Sequence, residues 1–188
     1  MKRNICSCNR KVKEKCYNTF VRPSLEYSSS VWDPFCKNKI DHLEKVQRRA
    51  ARFVSNDYSQ KSSVRAMLRD LEWTPLEERR AKNKMNFFYK AREGNICIPL
   101  NHLHLKTRSN RKDNIQYHIP SSRINTHLNS FYPNVIRRWN DLPADIQTSQ
   151  SATVFDNKIK NATLRCSYHD WYYWAFLQHK AHNQATLL

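Results

Sequence analysis

The chain has 188 residues, enough to bury a core as one domain or two small ones, and its 33 Lys and Arg against 16 Asp and Glu give a formal charge of +17. A mean hydropathy of -0.85, with no apolar run near the roughly 20 residues that span a bilayer, argues against a membrane protein. A single glycine, Gly94, argues against phosphate-cradling loops and tight hairpins.

Arg10 to Val21 places Val12, Cys16, Tyr17 and Phe20 at helical spacing, and Pro23 is expected to interrupt or end that helix. Ser24 to Trp32 reads as a second helix or an extended piece ahead of the Asp33-Pro34 turn. Lys39 to Val54 is the strongest helical pattern, with Ile40, Leu43, Val46, Ala50, Phe53 and Val54 on one stripe and Arg48, Arg49 and Arg52 elsewhere. Ser62 or Ser63 is expected to cap a shorter helix through Val64, Met67, Leu68 and Leu71. Thr74-Pro75-Leu76-Glu77 reads as a capping box with proline at the first helical position, opening a long helix that runs toward Arg92 and stops at Gly94.

Helical periodicity fades at about Asn95. Between Glu93 and Asp141 the only acid is Asp113, against seven bases: Lys106, Arg108, Arg111, Lys112, Arg123, Arg137 and Arg138. Histidines and aromatics interleave with them in an irregular strap, which reads either as a surface for phosphates and bases or as a solvated loop over the helices. Phe131 to Trp139 returns to helical spacing and stops at Asn140-Asp141-Leu142-Pro143. A last helix carries Val154, Phe155, Ile159 and Leu164, and an aromatic, histidine-rich tail begins at Arg165. The expected fold is mainly α: an irregular helical bundle with a polar, loop-rich segment around 95–130. It divides into a helical region 1–94, a basic strap with C-terminal helices 95–164, and the tail 165–188, which is a short helix or disordered.

Several phrases occur together and in order: Lys11 to Tyr17, Val21-Arg22-Pro23-Ser24-Leu25-Glu26-Tyr27, Val31-Trp32-Asp33-Pro34, and Leu43-Glu44-Lys45-Val46-Gln47-Arg48-Arg49-Ala50-Ala51-Arg52-Phe53. They continue through Ser63 to Leu71, Trp73 to Arg80, Ser130-Phe131-Tyr132-Pro133 and Arg137-Arg138-Trp139-Asn140-Asp141-Leu142-Pro143. Over about residues 3 to 160 the chain resembles the region that follows the polymerase palm in non-LTR retrotransposon reverse transcriptases of the jockey and related LINE groups. The resemblance implies a polymerase thumb followed by a helical C-terminal extension that helps to hold template and nascent strand. It also implies that the catalytic aspartates lie in a palm with a Tyr-x-Asp-Asp-like turn; no Asp-Asp pair occurs in this sequence, so a start inside a truncated or degraded element, or a gene model covering only its end, is expected.

The function expected is therefore non-catalytic binding of an RNA or RNA/DNA duplex backbone, with no cofactor and with the upstream polymerase domains as a further partner. The candidate phosphate contacts are the rows Arg48, Arg49, Arg52 and Arg79, Arg80, Lys82, Lys84, together with Lys106, Arg108, Arg111, Lys112, Arg137 and Arg138. Each row also reads as the solvated face of a helix paired with Glu44, Glu77 or Glu78. Trp32, Trp73 and Trp139 read as core residues. The alternatives are a helical protein-interaction module whose charge is incidental, and a zinc-binding tail built from Cys166, His169, His179 and His182. An enzymatic reading would need carboxylates such as Asp41, Asp57 and Asp70 to assemble, and nothing in their setting encourages it. Irregularly spaced cysteines and no secretion signal point to reduced thiols in an intracellular protein, nuclear or cytoplasmic.

Overall fold

The computed structural model of the chain describes residues 2–98, 100, 103–106 and 115–162. Its regular structure is helical, and the one β feature among the described residues is an isolated antiparallel bridge between Leu105 and Tyr117. A short 3-10 turn, Lys2–Ile5, precedes α1 (Arg10–Cys16), a π turn (Tyr17–Val21), α2 (Arg22–Glu26), α3 (Ser29–Trp32), α4 (Lys37–Ser55), α5 (Val64–Asp70) and α6 (Leu76–Arg92). Beyond the strap come α7 (Asn125–Leu128), α8 (Phe131–Asn140), α9 (Ala144–Gln147) and α10 (Ala152–Asn161). The mainly helical expectation is met, and the short helices α7 and α9 were not foreseen. Among the described residues no helix is long and apolar enough to cross a membrane.

Pro23 does not end the first helix. The Arg22 N–H donates to the Tyr17 carbonyl five residues back, a π turn, and Pro23 then falls in the first turn of α2, where its missing N–H is not needed. In a plain α-helix each four-residue step drifts by about 40° around the axis, and the extra residue of a π turn takes that drift back. The inward stripe is therefore Lys13, Tyr17, Val21 and Leu25, with Tyr17 only 3% exposed. Val12 and Phe20, expected on the apolar face, turn outward instead. At Ser28 the backbone takes a left-handed conformation, φ 53°, which separates α2 from α3.

α4 begins two residues earlier than expected and buries Ile40, Gln47, Ala51 and Val54. The polar Gln47 enters this face because its side-chain amide donates to the Thr74 carbonyl at 3.0 Å. Ser63 caps α5, accepting from Ala66 N–H at 3.4 Å. The capping box expected at Thr74 does not form: Pro75 stands at the N-cap, and Glu44 of α4 accepts from the Glu77 N–H at 2.9 Å. A carboxylate from a neighbouring helix thus meets both an orphan donor and the positive end of the α6 dipole. At the other end the helix stops at Gly94 as expected: Gly94 has φ 73° and the Asn95 N–H donates to the Lys90 carbonyl in a Schellman closure.

Two apolar cores result. Tyr17, Ala51, Val54, Met67, Leu71 and Trp73 form the first, with Tyr17 and Trp73 stacked at 4.2 Å between ring centroids. The second gathers Met85, Phe88 and Tyr89 of α6 with Val135, Ile136 and Trp139 of α8 and Phe155 and Ile159 of α10. The change of composition at about Asn95 is not where packing divides: α6 touches α2, α3 and α4 as well as α8 and α10. That double role explains why Leu76, Arg80, Ala81, Lys84, Met85, Phe88, Tyr89 and Ala91 are all buried, more than one apolar stripe accommodates.

Candidate nucleic-acid interface

α4 packs inward through Ile40, Gln47, Ala51 and Val54, and its exposed residues are Lys37, Asn38, Lys39, His42, Lys45 and Arg49. Among these described residues there is no carboxylate. The two acids of the helix are occupied: Asp41 pairs with Arg48 at 3.5 Å, and Glu44 caps α6. His42, Lys45 and Arg49 follow at i, i+3 and i+7, so they form one outward stripe along about two turns.

Of the row expected at Arg48, Arg49 and Arg52, Arg49 is the exposed one, while Arg48 and Arg52 are part-buried. Arg48 also donates to the Asp41 carbonyl, and Arg52 donates to the Ser59 carbonyl at 2.8 Å, bracing the turn after α4. That turn is further held by Asp57, whose carboxylate accepts from the Ser59 N–H, and hydrogen bonds from Ser62 and Ser59 hold its carboxyl below the usual range. Sequence reasoning missed Lys37, Lys39 and Lys45. The signal available was the spacing of Lys45 and Arg49, four residues apart and opposite the buried stripe.

The second row turns inward. Arg80 is fully buried, its Nε donating to Asp33 Oδ1 at 2.6 Å, and Lys84 reaches Asp33 Oδ2 at 2.7 Å. One carboxylate therefore sits between two buried cations, and both Arg80 Nη atoms are buried without a hydrogen-bond partner among the described residues. Burial pushes the Lys84 ammonium down, against the attraction of Asp33. Trp32 lies over this cluster, 6.0 Å from the Arg80 guanidinium to the ring centroid, and remains 39% exposed rather than joining the core. Arg79 forms a fork with both oxygens of Glu26, a hydrogen-bonded pair that raises the guanidinium further. Lys82 pairs with Glu78 at 2.7 Å and donates to the Lys160 carbonyl. Arg80 and Lys84 thus have no surface to offer a phosphate; they tie α6 to the Asp33 turn.

Arg137 and Arg138 are half-buried on α8, donating to the Leu128 carbonyl and to Asn134 Oδ1 respectively, and burial lowers the Arg137 guanidinium. Lys106 lies beside the lone bridge, where its N–H donates to the Gln116 carbonyl. Arg108, Arg111 and Lys112 lie outside the described residues, as do Leu164 and the zinc candidates Cys166, His169, His179 and His182. Among the described residues no three His, Cys, Asp or Glu side chains stand close enough to hold a metal ion. Asp41 and Asp70 are each held by an arginine, Arg48 and Arg10, and Asp57 by the serine turn.

An open groove of about 850 Å³ runs between α4, α5 and the Trp73–Glu77 segment. Its wall carries Asp41, Glu44, Glu72 and Glu77 against Arg48, Arg65 and Arg69, so it lacks the single sign that draws a polyanion. No protein-family model, curated protein or solved structure matches the chain.

Proposed function

We propose that the chain is the thumb and post-palm extension of a LINE-type reverse transcriptase, a non-catalytic part that grips nucleic acid by its phosphate backbone. The observation that supports this most is the outward face of α4, where Lys37, Lys39, Lys45 and Arg49 project and the nearest carboxylate on the helix, the half-exposed Asp41, is paired with Arg48. Lysine and arginine at helical spacing follow successive phosphates, and the affinity they supply comes mainly from counterion release. Nothing in that contact reads a base edge, so little sequence preference is expected. The charge cluster at Asp33 has the complementary task of keeping α6 rigid behind the gripping helix.

Titrating the full chain with labelled RNA and with a primer–template duplex at low and at moderate salt tests this reading. Tight binding that weakens steeply with salt is expected, and affinity indifferent to salt would contradict it. For the parentage, a reading frame for a Tyr-x-Asp-Asp palm immediately upstream in the genomic DNA is expected.

A further inference from the structure

The run from α1 to α2 presents a second outward face unlike that of α4. Phe20 is 64% exposed and Tyr27 79%, with Val12 at 42%. Single exposed apolar residues are ordinary, but two large aromatics on one helical run, both well over half exposed, are not what core packing produces. The π turn is responsible: by keeping Lys13, Tyr17 and Val21 inward it keeps Val12, Phe20 and Tyr27 outward.

The exposed charge on this run is mainly basic, with Arg10 paired to the exposed Asp70 carboxylate. Between residues 9 and 28 Arg10, Lys11 and Lys15 are exposed, whereas the acids Glu14 and Glu26 are half-buried and Glu26 is held by Arg79. α1 packs on α4 through its inward stripe, the Lys13 ammonium lying 4.9 Å from the centroid of the Phe53 ring.

We propose that this second face is a stacking platform for unpaired bases, so that the chain prefers single-stranded nucleic acid, or a strand leaving a duplex, over duplex itself. Base-paired stacks have no free face to lay on a ring, whereas splayed bases do, and basic residues interleaved with exposed aromatics are the chemistry that holds such strands. Seven residues of helix separate Phe20 and Tyr27 by roughly 10 Å, several times the 3.4 Å stacking rise, so each ring takes its own base rather than one side of a shared stack. A protein partner with an apolar face would suit the rings alone. The absence of exposed carboxylates among the described residues 9 to 28 favours a polyanion. This proposal rests on the nucleic-acid reading above and narrows it.

The test is fluorescence anisotropy of the full chain with an end-labelled oligothymidylate and a blunt DNA duplex of equal length, at one salt concentration. Wild type is expected to bind the single strand more tightly. Phe20→Ala with Tyr27→Ala should lower single-strand affinity about tenfold or more and leave duplex affinity within about twofold, since each stacked base contributes roughly 1–3 kcal/mol. Phe20→Tyr with Tyr27→Phe keeps both rings and should keep the preference, which separates stacking from a folding defect. Equal affinity of all variants for the single strand overturns the platform while leaving backbone binding intact. Failure of wild type to bind either probe overturns both readings. Loss of self-association on sedimentation, with nucleic-acid affinity unchanged, would make the face a protein-docking surface and overturn the proposal.

Discussion

The side chain of Asn140 and the backbone of Tyr117 close a reciprocal pair: the Tyr117 N–H donates to Asn140 Oδ1 at 2.9 Å, and Asn140 Nδ2 donates to the Tyr117 carbonyl at 2.8 Å. The carboxamide does what an adjacent strand would do. Two residues earlier in the strap, Trp139 Nε1 donates to the Ile115 carbonyl and Gln147 Oε1 accepts from the Ile115 N–H, so α8 and α9 hold the strap without a sheet.

Asn140→Ala should therefore free both polar groups of Tyr117 in a half-buried setting and destabilise the chain by about 1–3 kcal/mol. Urea unfolding reads the loss, and amide exchange at Tyr117 should speed up in the native state. Unchanged exchange would show that the strap is held by something other than this pair.

Phe155 lies between Tyr89 and Trp139, stacked at 4.3 Å and 5.9 Å between centroids, and is fully buried. Phe155→Ala should cost about 3–5 kcal/mol, transfer and cavity terms together. A thermal melt that moves by only a degree or two would contradict the packing of α10 on α6.

Asp33 is the sole carboxylate shared by Arg80 and Lys84 among the described residues, so Asp33→Ala leaves two buried cations unmatched and should cost about 3–5 kcal/mol. Replacing all three by apolar residues, Asp33→Leu with Arg80→Met and Lys84→Met, should recover much of that loss, because two Arg80 nitrogens have no hydrogen-bond partner among the described residues in the native arrangement. Chemical denaturation of the single and triple variants decides. A triple variant no more stable than Asp33→Ala would contradict an isolated, replaceable charge cluster.

Burial pushes the Glu77 carboxyl above its usual range, outweighing the opposing pull of Arg138. A carboxyl whose folded pKa is raised favours the fold most when protonated, so its contribution is complete below the unfolded value near 4.5 and is lost as pH rises through the folded value. Glu77→Gln, which cannot ionise, should be more stable than wild type at neutral pH, and the difference should vanish in acid below the unfolded value. Urea midpoints across that pH range check it; a difference that grows toward acid would reverse the sign.

What was legible in the sequence is what short-range pattern encodes. The long helix from Leu76 to Arg92, its stop at Gly94, the Ser63 cap and the helix ending at Asn140 all rest on residues within a turn or two of one another. What was not legible depends on partners far along the chain: Glu44 capping α6, Gln47 held by Thr74, Asp33 drawing Arg80 and Lys84 inside. The row from Arg79 to Lys84 reads as a solvated face only while α6 is taken to pack on one side, and it packs on two. The outward turn of Phe20 follows from a π turn whose signal, Pro23, more readily announces a break.

Slopes of log affinity against log salt for wild type and for Lys45→Gln with Arg49→Gln, measured on the same RNA duplex, test α4 as the gripping element most directly. Removing two phosphate contacts should make the slope shallower by about two while the melting temperature stays near that of wild type. An unchanged slope in the double variant, or wild-type binding that does not respond to salt, would contradict it.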